Sequence, residues 1–226
     1  MEKSERGHKI LKRVVGVVLC LMIAIVLVGL VQQFFLAPVA VSGKSMLGTF
    51  AESGDKVFVQ KKFFKVSRGN IVVFYRPNSA DVKSKNPANS ISFADFFNSL
   101  PFINKFPRSS EDSDVSNDYT CVIKRVVAME GDTVEIRYVE DSNRVELLIN
   151  DVVQKENYIY EPMQKKIGPS GVKEVEKFTV PKGQLFVLGD NRNNSYDSED
   201  YGCIQKSWLM GKVVLAKVHG KYKRKL

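Results

Sequence analysis

The sequence predicts a mostly β protein: an antiparallel body of barrel or sandwich type, carried on one N-terminal membrane-spanning helix. Three observations lead there. Residues 14–31 hold no charged or strongly polar side chain. From Val41 onward the apolar residues are β-branched and aromatic and come in short runs. Helical periodicity is weak everywhere after the first run.

Taken in order, residues 1–13 carry Lys3, Arg6, Lys9, Lys12 and Arg13 against Glu2 and Glu5, a basic flank that belongs in the cytoplasm. The apolar run follows, extended by Phe34, Phe35 and Leu36 beyond Gln32 and Gln33. Residues 14–36 thus reach the roughly 20 needed to cross a hydrocarbon core. A cleavable signal peptide is the rival reading, but its apolar region runs about 7–15 residues. Ala37-Pro-Val-Ala40 is also a poor A-x-A exit. The expectation is a retained single anchor, N-terminus inside, with residues 37–226 outside the cell membrane.

Residues 55–59, 70–75, 121–129, 133–139 and 144–149 read as strands, as do 178–180, 184–188 and 212–218. Asp141-Ser-Asn143 is a hairpin signal between two of them. Between about 77 and 118 the strand pattern stops in a tract rich in Ser, Asn and Asp, with one apolar island at 91–103. So long a loop is expected to be functional, partly disordered or a subdomain. The island suits either a short amphipathic segment on a membrane or substrate, or a satellite cluster on the sheet. The basic tail Lys221-Tyr-Lys-Arg-Lys225 reads as a solvated terminus.

A net charge of +9 suits nucleic acid, an anionic membrane or an anionic polymer, and speaks to encounter rather than fold. Because the basic residues are scattered and the domain faces outward, no nucleic-acid partner is expected. Cys20 lies in the apolar run, whereas Cys121 and Cys203 are far apart, with no zinc spacing. Outside the cell they could pair, or stay as two buried thiols.

One stretch, Val41-Ser-Gly-Lys-Ser-Met-Leu-Gly-Thr-Phe50, places a hydroxyl, Ser45, where the span ends. Most serines in such Gly/Ser turns serve the turn alone. A Ser-His-Asp triad needs a histidine base, and the chain has His8, before the span, and His219, in the tail without an acidic neighbour. Gly43-Lys-Ser45 fails as a phosphate loop because Pro38 stands where glycine is required. The stretch from Asp190 fails as a calcium loop because Arg192 takes a ligand position and Ser195 the glycine position. Neither a metal nor a cofactor is expected.

A serine activated by a neutral lysine remains. In the apolar strand 121–129, alternation puts Lys124 on the face of Val122 and Val126, and Arg125 with Ile123 and Val127. Both faces are apolar, so alternation does not choose between the cations. Chemistry does, because a guanidinium stays protonated and cannot act as base. Burial can lower a lysine pKa by about 3–5 units. An edge strand with snorkelling cations is the plainer alternative.

These residues bring the chain close to a family. It resembles the type I signal peptidases, membrane-anchored Ser/Lys endopeptidases, in their Gram-positive, single-anchor form. Ser45-Met-Leu-Gly-Thr49 is similar to the nucleophile box Ser-Met-x-Pro-Thr, and Gly54-Asp-Lys-Val-Phe-Val59 and Arg68-Gly-Asn-Ile-Val-Val-Phe74 to the next two. Lys124-Arg-Val-Val-Ala-Met-Glu-Gly-Asp132 resembles the lysine box and Gly189-Asp-Asn-Arg-Asn-Asn-Ser-Tyr-Asp-Ser198 the last. The resemblance implies Ser45 as nucleophile and Lys124 as base. It implies Ser195 as the residue that hydrogen-bonds the lysine, with Asp190, Arg192 and Asp197 as scaffold. The backbone N–H of Ser45 would help bind the oxyanion, and Met46 and Val122 would contact substrate. The expected partners are secretory preproteins, cut after small residues, and membrane lipid, with the chain a monomer. Gly48, Asn70, Glu130 and Glu199 depart from the family pattern. A non-catalytic, membrane-tethered chaperone or assembly factor on the same fold is the alternative, although it would be expected to lack the serine or the lysine.

Overall fold

The computed structural model describes residues 2–51, 53–79, 118–139, 144–164, 167–168, 171–172, 175–224 and 226. The island at 91–103 and the turn at 141–143 lie outside them. Two units result, each taken by itself. The first is helix α1 (Glu2–Phe34), which continues through the basic flank. Its segment Ile10–Leu30, 21 residues with a mean hydropathy of 2.8, is long and apolar enough to cross a membrane. Val17 and Leu21 are among its many exposed apolar side chains, the pattern of a helix solvated by lipid. The helix ends two residues short of the expected 36, because Pro38 biases Ala37 toward extended backbone.

Leu36 therefore opens strand β1 (Leu36–Ser42), which the strand reading missed. Its alternating burial marks a half-buried strand, and its end position in the sheet tolerates Pro38. In the second unit the pairings among the following strands are antiparallel: β2 (Ser53–Gln60), β3 (Ile71–Pro77), β4 (Tyr119–Met129), β5 (Thr133–Val139), β6 (Arg144–Ile149), β7 (Val152–Val153), β8 (Ile167–Gly168), β9 (Gly171–Val172), β10 (Val175–Thr179), β11 (Gln184–Leu188), β12 (Ile204–Gln205), β13 (Leu209–Val218) and β14 (Lys221–Lys223). Among the described residues the large sheet has eight strands, ordered β1-β2-β13-β3-β4-β11-β12, with β14 added on β13. A second sheet runs β10-β5-β6-β7, and β8 pairs β9. The tail read as a solvated terminus is thus the strand β14, although its side chains stay exposed.

Strand β3 explains the layering. Ile71 and Val73 enter one cluster with Val41, Met46, Phe50, Val57, Val59 and Ala216. Val72 and Phe74, on the other face, pack with Val126, Leu185 and Val187. A central strand buried on both sides has no polar face, hence the unbroken run Ile71-Val-Val-Phe74. Each such side chain contributes about 1.5–3 kcal/mol on burial. At its far end β4 leans on the smaller sheet, where Val127 and Ala128 meet Val134, Ile136, Leu147 and Ile149. Cys121 packs against the first cluster and Cys203 against this last one, and both are free thiols. The pairing left open by the sequence is therefore absent.

One feature of β4 positions the site. It pairs β3 from Tyr119 to Arg125, but β11 only from Arg125 to Met129. Among the described strands, residues 120–124 have a strand partner on the β3 side alone.

Candidate active site

Ser45 sits in the turn that follows β1. Gly43, at φ +86°, and Gly48, at φ +96°, bracket it in backbone conformations that favour glycine. The turn closes through Leu47 N–H to Lys44 O at 3.2 Å and Phe50 N–H to Met46 O at 2.9 Å. Met46 and Phe50 plunge into the core, so the turn hangs from two buried side chains while Ser45 stays half-buried above them.

The other support comes from residues 189–198. Asn191 donates its N–H to Ser45 O at 3.0 Å and its Nδ2 to Lys44 O at 3.0 Å. At Gly189 a Cβ would fall 2.4 Å from Ser45 O and 2.3 Å from Ser195 Oγ, so only glycine lets the two segments meet. Asp197 accepts from Gly189 N–H at 2.9 Å and caps the short helix α2 (Ser198–Tyr201) in a capping box with Asp200.

Lys124, on β4, is 4% exposed, and its Nζ donates to Ser45 Oγ at 2.7 Å. Burial brings its amine down to about 8. Arg76 pushes the same way, against the opposing pull of Asp197, Asp190 and Asp200. Its neighbour Arg125 is equally buried but differently used. Its Nε and Nη2 grip Asp190 Oδ1 and Oδ2 at 2.8 and 2.7 Å. Thr49 Oγ1 donates to the same Oδ2 at 2.5 Å, and the Tyr158 ring lies 4.0 Å from the guanidinium. Asp190 thereby ties the strand that bears the lysine to the turn that bears the serine. Arg192, also buried, donates to Gly189 O at 2.9 Å and to both oxygens of Glu156 at 2.6 Å. Burial works against its charge, but Glu156, Tyr158 and Asp190 together outweigh burial, so its pKa is raised.

A cleft of about 210 Å³ opens beside the pair, walled by Val39, Ala40 and Ser42 of β1 and by Thr120 through Lys124 of β4. The open edge of β4 faces it. A buried lysine bonded to a half-buried hydroxyl, beside a cleft walled by two strands, is an arrangement suited to nucleophilic attack on a bound chain.

Residues 14–217 match the family model described as signal peptidase, peptidase S26. The chain belongs to this family. It is similar to the chloroplastic thylakoidal processing peptidase 1 of Arabidopsis thaliana, 33% identical over 177 residues, which make up 78% of this chain and 40% of that protein. It therefore spans well under half of the Arabidopsis protein. Against signal peptidase IB of Staphylococcus aureus (strain COL) the identity is 27% over 215 residues, 89% of this chain and 88% of that one. The crystal structure of a signal peptidase I from Enterococcus faecalis V583 aligns over 67% of this chain and 99% of its own, at 22% identity and a TM-score of 0.37.

Within this signal peptidase family member, the expected site residues fall into place unevenly. Ser45, Lys124, Asp190, Arg192 and Asp197 converge, and Val122 lines the cleft. Met46 is 1% exposed and lies in the core beneath the turn rather than on the cleft wall. Ser195 departs most: its buried Oγ has no hydrogen-bond partner, and the expected bond to Lys124 is not made. The lysine proton points to Ser45 instead. Gly48, which departs from the family pattern, is closely packed, and a Cβ there would lie 3.1–3.2 Å from the backbone of Tyr158 and Tyr160. Glu199 serves through its backbone N–H, donated to Asp197. Sequence reasoning missed the roles of Arg125, Gly189, Asn191 and Glu156. The first was visible as a second cation on an apolar strand, whereas Glu156 sits in a loop with no distinguishing pattern.

Proposed function

We propose that the chain is a membrane-anchored serine endopeptidase that removes N-terminal signal peptides from exported preproteins. The observation that carries this reading is the 2.7 Å bond from Lys124 Nζ to Ser45 Oγ, with the amine buried and its pKa brought down to about 8. Neutral Lys124 takes the proton of Ser45 as Oγ attacks the scissile carbonyl. It then returns that proton to the departing amine, leaving an acyl group on Ser45 that water hydrolyses by the same route. The backbone N–H of Ser45 faces the developing oxyanion, a kind of contact worth about 3–4 kcal/mol in the transition state. The preprotein lies extended in the cleft against the open edge of β4, in the manner of an added strand. The family resemblance implies small side chains before the cut, and a cleft of about 210 Å³ suits them. The basic flank keeps the N-terminus in the cytoplasm, and the β unit works on the outer side.

The test incubates the purified full chain in detergent with an exported precursor. Ser45→Ala and Lys124→Ala should each abolish cleavage, and the double variant should be no worse than either single one, as expected of groups that act together. Normal cleavage by either variant would sink the dyad. A wild-type chain that binds precursor but never cuts it would favour the tethered-chaperone alternative.

A further inference from the structure

Arg76 shares a face of the large sheet with the reactive lysine. The register of β3 on β4 sets Val72 opposite Lys124, Phe74 opposite Val122 and Arg76 opposite Thr120, so alternation puts all six side chains on one side. Val72 and Phe74 are fully buried, and with Val126 and the partly buried Val122 they make an apolar floor between the two cations. Tyr201, the last residue of α2, packs on the same cluster.

The guanidinium is held by rings. Its Cζ stands 5.0 Å from the centroid of the Tyr196 ring and 5.2 Å from that of Tyr201, and the two rings meet edge to face 5.4 Å apart. A cation within about 6 Å of a ring centroid is attracted to the ring face, and a guanidinium keeps its charge there. Among the described residues no carboxylate lies within ion-pair distance of Arg76, whereas Arg125 is neutralised by Asp190. Tyr196 precedes Asp197, and Tyr201 closes the short helix that Asp197 caps. The clamp therefore joins β3 to the segment that braces the Ser45 turn.

Several groups act on the Lys124 amine. Burial, the largest influence, disfavours its charge; Asp197, Asp190 and Asp200 favour it, and Arg76 disfavours it. Ser45 meets the amine directly at 2.7 Å. Arg125 and Cys121 extend to the other face of β4, where Cys121 packs on core and Arg125 grips Asp190. Across an apolar floor two like charges repel more strongly than they would through water.

We propose that Arg76 is a positioning residue for the proposed reaction: clamped on Tyr196 and Tyr201, it acts across the apolar floor to oppose protonation of Lys124. The inference rests on the reading of Lys124 as the base. Without Arg76 the pull of the three aspartates is less opposed, and more of the enzyme holds a protonated, inactive lysine at neutral pH.

Two readouts test this separately from the peptidase reading. The first is the pH profile of kcat/KM for precursor cleavage by the full chain in detergent. Arg76→Met should move its midpoint up from about 8 by about half a pH unit. Activity then falls about threefold at pH 7 and little at about pH 9.5. Arg76→Glu should move the midpoint further the same way, whereas Arg76→Lys, which keeps the charge, should hold it near the wild-type value. A merely structural role would lower the whole profile without moving its midpoint. The second readout is the titration of the Lys124 side chain itself, followed by NMR in protein isotope-labelled at lysine Cε and assigned by the signal missing from Lys124→Met. It needs no activity, and here too Arg76→Met should raise the midpoint and Arg76→Lys preserve it. Identical Lys124 midpoints in the wild type, Arg76→Met and Arg76→Glu would overturn the proposal. A wild-type chain that never cuts a precursor would end the peptidase reading, and with it the role of Arg76 in a reaction, even where the titration shows the two cations coupled.

Discussion

Two adjacent cations on β4 meet opposite fates, and each implies a measurable behaviour. Lys124 titrates near 8 in the folded chain against an ordinary 10.5, because burial penalises its charged form. If Lys124 is the base, as proposed, it must be neutral to work, and kcat/KM for precursor cleavage should rise through pH 8 and level above it. For stability the unfolded chain binds the extra proton between those two values, so stability rises from pH 8 to 10.5 and the cost is fully present below 8. Lys124→Met should therefore stabilise the protein at pH 7 by about 3 kcal/mol, with the advantage vanishing by pH 10.5, as read by denaturant unfolding. Arg125 cannot escape by losing its proton and relies on Asp190. Asp190→Asn should cost about 3–5 kcal/mol, seen as a lower unfolding midpoint, because it strands a buried guanidinium. The pairing of Lys124 with Ser45 could be reached from sequence by elimination of other bases. The partnership of Arg125 with Asp190 was not, because it spans 65 residues and no local pattern encodes which carboxylate a buried cation meets.

At the scale of elements, the site depends on two glycines doing different jobs. Gly48 combines a positive φ with close backbone neighbours, so Gly48→Ala should destabilise by about 1–3 kcal/mol. Gly48→Pro, although it restores the family pattern, should do worse, because proline fixes φ near −65°. Thermal unfolding of both variants checks the order. Gly189→Ala should leave the sheet intact by circular dichroism yet reduce cleavage by about 100-fold or more, since the Ser45 carbonyl must move aside. Strands 133–139, 144–149 and 184–188 could be read to the residue because one or both faces meet core and the apolar rhythm records it. Strand β1 escaped because its first residue continues the apolar anchor and Pro38 argues against a strand anywhere but at an edge. Strand β14 escaped because Lys221 and Lys223 carry charge on exposed faces, and only pairing with β13 makes them a strand.

Across the whole molecule, the two thiols of the β unit sit in different core clusters. Alkylation after unfolding without reductant should therefore label all three cysteines, by mass, and the unfolding midpoint should not change with reductant. Charge distribution was the property least legible in sequence, since Lys56 of β2 and Lys217 of β13 are 161 residues apart and meet only by pairing. The same separation governs the reactive pair. Ser45 and Lys124 are 79 residues apart, and the turn that steadies Ser45 answers to Asn191, nearly 150 residues downstream. Contacts so distant form late, after the entropy of closing long loops has been overcome. On the proposed topology, a chain whose last third has not yet been delivered holds the serine and the lysine but lacks the Asn191 bonds to the serine turn and the β11 pairing of the lysine strand. On the proposed reading, cleavage therefore begins only once residues 189–198 are in place, and the serine is without its support until then.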